Sequence, residues 1–333
     1  MNDSKQEDYY CVCREADPDH FITNEELKHL IESNYTFNQD DYLRVYNCIH
    51  CNDCNTSEER FMLKERFLKD GGIIEGLNDV IKALETFGTP FTKNKSRVKI
   101  PSGIPNKSDS LLYLGCFTTV KTPVYAENLI KYLLNKKIEF TLLNEEICCG
   151  YPILCNGAID TYYKLVEKNR MILKEKGFKR IITACPSCYM VFKKEFGNDF
   201  EIKYFTEYLT PSETVKSGNL IIQHACPLRN GEIPGIVESL ENIFTKSGYM
   251  VLSGVPKTCC GGGVGHQLRT DIIEEIALKR MDDFKEESGY FEKIDDKNSF
   301  ITTYCPDAYW ILKVYGRKKK ITFKLKDMCD LLL

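Results

Sequence analysis

The sequence predicts an α/β fold: a helical N-terminal segment followed by two similar halves, each built on a parallel sheet. Three observations predict it. The part of the 333-residue chain after residue 110 repeats itself with a period of about 110 residues,. Within each copy, short β-rich runs alternate with amphipathic helical stretches, the pattern of parallel strand–helix units. The cysteines of each copy fall just after the strands, at the carboxyl ends where open α/β sheets collect ligands.

The elements follow in order. Residues 1–87 read as helical, with helical spacing of apolar residues over Glu25–Glu32, Glu58–Leu68 and Asp79–Phe87,. Gly71 and Gly72 stop the second of these. Residues 88–109 carry Pro90, Pro101 and Pro105 among scattered Lys, Ser and Asn, and read as a linker,. The first copy occupies 110–217 and the second 218–333. In the first, Leu111–Leu114, Phe140–Leu143 and Ile181–Thr183 are expected strands; Leu220–Gln223, Met250–Leu252 and Phe300–Thr303 match them in the second. Val124–Asn135, Thr161–Lys176, Ile236–Lys246 and Arg269–Glu286 are expected helices. The copies align on their cysteines: LLYLGC with LIIQHAC, EICCGYP with KTCCGGG, and RIITACPSCYMVFK with FITTYCPDAYWILK.

Composition limits the function. Hydrophobic content of 43% and charged content of 28% describe a soluble globular chain,. No apolar run is long enough to span a membrane, and the start, MNDSKQEDYY, lacks the pattern of a secretory signal,. A cytoplasmic protein is therefore expected. With a net charge of −3 and no basic block beyond the short Arg317–Lys320 cluster, read as a solvated turn, nucleic acid is not an expected partner,. Sixteen cysteines stand out in a reducing compartment, where disulfides are improbable,. Buried inert thiols account for a few, but not for pairs at ligand spacing or two Cys-Cys-Gly tripeptides. Metal binding is the remaining reading.

Three cysteine groups follow. Copy one holds Cys116, Cys148, Cys149, Cys185 and Cys188, five thiols from three strand ends, where a cubane cluster or a structural zinc needs four. Gly150 is expected to let the backbone pass close to the metal. Copy two holds Cys226, Cys259, Cys260 and Cys305, with Ala308 where a fifth cysteine should stand. The N-terminal run Cys48-x2-Cys51-x2-Cys54 is the start of a bacterial ferredoxin motif without its final Cys-Pro; Cys11 or Cys13 is the candidate fourth ligand of one cubane cluster,. A zinc knuckle using His50 is the alternative there, and zinc is also the alternative in copy two.

The repeat resembles the cysteine-rich CCG domain, which occurs twice in one component of heterodisulfide reductase. Related domains occur in the fused heterodisulfide reductase component, in thiol:fumarate reductase, and in the iron–sulfur components of glycolate, lactate and glycerol-3-phosphate oxidation systems. The resemblance covers about residues 110–316. It implies a helical ferredoxin-like domain (1–87), followed by two pseudo-symmetric Rossmann-like CCG domains. It further implies that Cys116, Cys148, Cys149, Cys185 and Cys188 hold a noncubane [4Fe–4S] cluster at which a disulfide or thiol substrate reacts. Cys226, Cys259, Cys260 and Cys305 would hold another cluster, cubane or noncubane with one open iron, acting as a relay or weaker site. An electron-donor protein, such as a flavoprotein, is the implied partner. A non-catalytic electron-transfer component of a flavin-dependent dehydrogenase is the competing function. Cys155, Cys329, His224 and His266 read more simply as core residues. The stretch GGGVG after Cys260 lacks both standard phosphate-loop patterns, so its glycines are expected to serve close approach to the cluster.

Overall fold

The computed structural model describes residues 11–333 except 53, 55, 92–95, 227, 229–231, 253–257, 264–267 and 290–297. The N-terminal segment is helical: α1 (Val12–Ala16), α2 (Asn24–Glu32), α3 (Tyr42–Val45), α4 (Ser57–Lys69) and α5 (Leu77–Phe87). The Thr23 hydroxyl caps α2 by accepting from the Glu26 amide at 3.2 Å,. Helix α4 ends as its sequence directs: the Gly72 amide reaches back to the Phe67 carbonyl at 2.8 Å while Gly71 takes a φ of +97°,.

The first half contains β1 (Ser110–Tyr113), α6 (Cys116–Val120), α7 (Pro123–Asn135), α8 (Tyr151–Cys155), α9 (Ile159–Glu175), β2 (Arg180–Thr183), α10 (Pro186–Phe196) and β3 (Glu201–Tyr204). The second contains β4 (Asn219–Gln223), α11 (Ile236–Lys246), β5 (Met250–Val251), α12 (Thr270–Ser288), β6 (Ser299–Thr303), α13 (Pro306–Lys318), β7 (Lys324–Leu325) and α14 (Met328–Leu332). Both sheets are parallel, with orders β1-β2-β3 and β5-β4-β6-β7. A single parallel bridge of Thr141 to Leu111 stands where β5 stands in the second half, so the two sheets have one topology.

The differences from expectation lie at sheet edges and after the third cysteine group. Phe140–Leu143 forms only the Thr141 bridge, because the chain leaves the edge toward the Cys-Cys dipeptide after two hydrogen bonds to β1. The edge strands β3 and β7 are short and mixed in polarity, and the sequence does not announce them. Helices α10 and α13 are also unannounced; each begins with Pro at the first helical position, where its missing N–H costs nothing,. Arg317–Lys320 spans the end of α13 and the turn after it, largely exposed, with Lys318 and Lys319 paired to Glu274 and Asp282 at 2.7 and 2.6 Å.

The halves and the N-terminal helices share one core. It runs from Ile22 and Phe67 through Leu112, Leu129 and Ile182 to Leu332. Between the halves, the Tyr204 hydroxyl donates to the Tyr304 carbonyl and the Asn128 amide donates to Asp327 at 2.7 Å. The N-terminal helices touch both halves: the Tyr46 hydroxyl donates to the Asn156 carbonyl at 3.0 Å, and Arg269 donates to the Leu43 carbonyl at 2.8 Å. Among the described residues, no helix is long and apolar enough to cross a membrane.

Candidate metal centres

All sixteen cysteines are free thiols, and most are buried. In the first half, three structural positions bring five together. Cys116 opens α6 directly after β1. Cys148 and Cys149 precede α8. Cys185 caps the N-terminus of α10, and Cys188 lies in its first turn. A helix N-terminus carries partial positive charge, which favours a thiolate there. The Cys116 and Cys148 sulfurs stand 3.7 Å apart, and those of Cys149 and Cys188 are 3.4 Å apart. Hydrogen bonds from Cys116 and Cys149 hold the Cys148 thiol well below the usual thiol range, while that sulfur and burial push Cys116 up. The Gly150 amide also donates to Cys148 at 3.5 Å. Gly150 has a φ of +92°, and a Cβ there would meet the Tyr162 ring at 2.8 Å.

The second half repeats the arrangement. Cys226 follows β4, Cys259 and Cys260 follow the β5 connection, and Cys305 caps α13. The Gly261 amide donates to Cys259 at 3.4 Å, the counterpart of Gly150 and Cys148, and the Gly262 amide donates to Cys260 at 3.2 Å. Ala308 is buried, at the position matching Cys188. Burial, with the charges of Asp307, Cys185 and Cys260, pushes the Cys305 thiol up.

Cys11 interacts with Cys13 and Cys54, and Cys13 with Cys11 and Cys48, so both candidates for a fourth ligand sit with Cys48 and Cys54. Cys51 is buried in one cluster with Cys11, Cys13, Cys226, Cys259 and Cys260. The Cys13 hydrogen bond lowers the Cys48 thiol to about 6 against the effect of burial, helped by the buried cations Arg60 and Lys64. His50 stacks on Phe61 with ring centroids 4.5 Å apart, and its Nε2 lies 2.6 Å from the Lys64 ammonium. Among the described residues, no three His, Cys, Asp or Glu side chains are closed around the place of a single ion.

A cavity of about 400 Å³ lies between the halves. Cys116, Cys149, Cys185 and Cys188 line one side; Gly263, Asp307, Trp310 and Tyr315 line the other. Among the described residues, no copy-two cysteine lines it. Burial pushes the Asp307 carboxyl up to about 7. Several of these residues carry no signal in the sequence. Glu146 is half-buried, desolvation raises its carboxyl to about 7, and it accepts from the Leu114 and Gly115 amides at 2.8 and 2.7 Å, fixing the turn before Cys116. Its one sequence cue is its place two residues before the Cys-Cys pair. Lys64 and Arg60 sit on the buried face of α4, where charged residues read as solvated.

The remaining candidates are accounted for by their neighbours. His224 Nδ1 lies 3.3 Å from the Tyr304 hydroxyl, and Nε2 lies 3.8 Å from Glu241. Cys155 is buried beside Tyr151 and Lys64, and burial raises its thiol to about 12. Cys329 is buried within α14. His266 lies outside the described residues.

The sulfur-only donor sets suit iron–sulfur clusters, which thiolates hold. The comparison with protein families decides the lineage: the cysteine-rich CCG domain matches residues 110–193 and again 220–313. The chain belongs to this CCG family. One subunit of the dihydromethanophenazine:CoB–CoM heterodisulfide reductase from Methanosarcina mazei is 25% identical over 274 residues, covering 72% of this chain and 67% of that protein. One subunit of the fumarate reductase (CoM/CoB) from Methanothermobacter marburgensis is 25% identical over 51% of this chain and 36% of its own length. EtfAB:quinone oxidoreductase from Syntrophomonas wolfei is 27% identical over 59% of this chain and 30% of its own length. This CCG protein thus spans about a third of those last two relatives. These relatives are oxidoreductases or subunits of them.

Proposed function

We propose that the chain is an iron–sulfur oxidoreductase of the heterodisulfide reductase type. It takes electrons one at a time from a donor protein at an N-terminal [4Fe–4S] cluster and passes them to the CCG centres. There a disulfide or similar thiol-linked substrate is reduced. The observation that carries this reading is the cavity between the halves, with four copy-one cysteines on its wall. The reaction balances as R–S–S–R′ plus two electrons and two protons giving RSH and R′SH, with the electrons supplied by the donor. The clusters, when bound, supply one-electron storage and a metal site for a thiolate sulfur.

The chain's own residues shape the site. Phe117, Tyr151 and Trp310 give apolar walls that exclude water from the S–S bond,. Lys121, also on the cavity wall and exposed, offers a cation to an acidic substrate tail. Five thiolates on Cys116, Cys148, Cys149, Cys185 and Cys188 fit the noncubane cluster that the family resemblance implies.

The test uses protein purified without oxygen and reduced by a low-potential viologen dye. Addition of a disulfide should release two thiols for every two electrons consumed, and Cys188→Ala should abolish that release. Intact cluster signals without thiol release would favour the second reading, a non-catalytic electron-transfer component of a flavin-dependent dehydrogenase complex. The absence of a fifth copy-two cysteine at Ala308 and the resemblance to EtfAB:quinone oxidoreductase favour that alternative.

A further inference from the structure

Thr56 carries a hydroxyl that its helix does not use. It is the residue before α4, the position at which a threonine hydroxyl ordinarily accepts from the free amides of the first turn,. Here the side chain makes no such bond. The main chain still opens the helix, the Thr56 carbonyl accepting from the Arg60 amide at 3.1 Å. The hydroxyl is turned elsewhere: its oxygen lies 3.0 Å from the Cys54 sulfur and 3.1 Å from Nε of Arg60.

The chemistry of the two neighbours fixes the direction of both bonds. A guanidinium has no acceptor, so Arg60 donates to the Thr56 oxygen. A sulfur that ligates a metal is a thiolate without a proton, so the Thr56 O–H donates to Cys54. The three groups form a relay from Arg60 through Thr56 to one sulfur. Arg60 itself is only 2% exposed. Its guanidinium also donates to the Ile22 carbonyl at 2.9 Å and lies over the Phe21 ring, 5.3 Å from the centroid. These partners are all neutral. Arginine stays charged in proteins, and a buried charge without a counter-ion is costly. A centre held by thiolates at Cys54 supplies the negative charge that this cation lacks.

We propose that Arg60 and Thr56 are positioning residues that raise the reduction potential of the N-terminal centre through the Cys54 sulfur, and so favour electron entry there. The proposal rests on the reading that Cys54 is a ligand of an iron–sulfur cluster. Hydrogen bonds to ligand sulfurs and nearby charge are among the levers that a protein has on such a potential. One electron from the donor makes the centre more negative. A hydroxyl donor with a buried cation behind it stabilises that reduced form more than the oxidised one. The hydroxyl gives up the helix cap to serve the sulfur.

The test is a potentiometric titration of anaerobically purified full-length protein, followed by low-temperature electron paramagnetic resonance. The signal lost in Cys48→Ser identifies the N-terminal centre. Thr56→Val keeps the side-chain shape and removes the hydroxyl. It should move the midpoint potential of that signal to a more negative value, while Thr56→Ser leaves it at the wild-type value. Arg60→Met should shift it in the same direction. The double variant should shift it by less than the sum of the two single shifts, because both residues act on one sulfur. Signals that survive in Cys48→Ser should keep their potentials in all of these variants. An N-terminal midpoint unmoved by Thr56→Val, or moved equally by Thr56→Ser, overturns the assignment, as does a shift of every signal together. A wild-type chain without labile sulfide overturns the cluster reading itself, a result distinct from these.

Discussion

At the scale of single residues, close packing around the sulfurs should make small changes costly. Gly150 combines a positive φ with a Tyr162 ring that a Cβ would strike at 2.8 Å. Gly150→Ala should therefore destabilise the native state by about 1–3 kcal/mol, read as a shift in the denaturant midpoint. An unchanged midpoint would mean that the α8 turn relaxes freely. The five copy-one cysteines converge from three places, after β1, before α8 and at the start of α10. Their spacing marks them in the sequence. Lys64 and Arg60 carry no such mark, because their charges are buried under thiols that lie elsewhere in the chain.

At the scale of elements, strands with apolar runs and helices with a clear apolar stripe are legible to within a few residues. Edge strands are not, because one or two ladder bonds suffice to place them and leave little pattern. The C-terminal helix α14 illustrates a dependence that only the fold reveals. Its cap Asp327 accepts from the Asp330 amide at 2.9 Å and from the Asn128 amide of α7, and is buried at the junction of the halves. Burial raises its carboxyl from 3.8 to about 6. The folded chain then holds this proton more tightly than the unfolded chain does. The associated stability is present below about pH 4 and is lost as pH rises through about 6,. Asp327→Asn keeps a capping side chain and removes the ionisation. The variant should match wild type near pH 4 and gain on it up to pH 7, by no more than about 3 kcal/mol. Parallel unfolding free energies at all pH values would show that the carboxyl titrates normally.

At the scale of the whole molecule, the repeat makes the two-half architecture legible, since the same order of strands, helices and cysteines occurs twice. The packing of the N-terminal helices is not legible. The proline-bearing stretch of 88–109 reads as a spacer, yet Phe61, Leu63 and Phe67 share a core with both halves. Removing residues 1–100 should therefore lower the melting temperature of the remaining chain and expose apolar surface, detected by a hydrophobic dye. A fragment as stable as the full chain would show that this shared core contributes little. The central claim is that the thiol groups hold iron–sulfur clusters. Its most direct test is iron, zinc and acid-labile sulfide analysis of protein purified without oxygen. Three four-iron centres predict about twelve iron atoms and a similar amount of sulfide per chain, with little zinc. Zinc bound in place of iron, with no labile sulfide, would contradict the account.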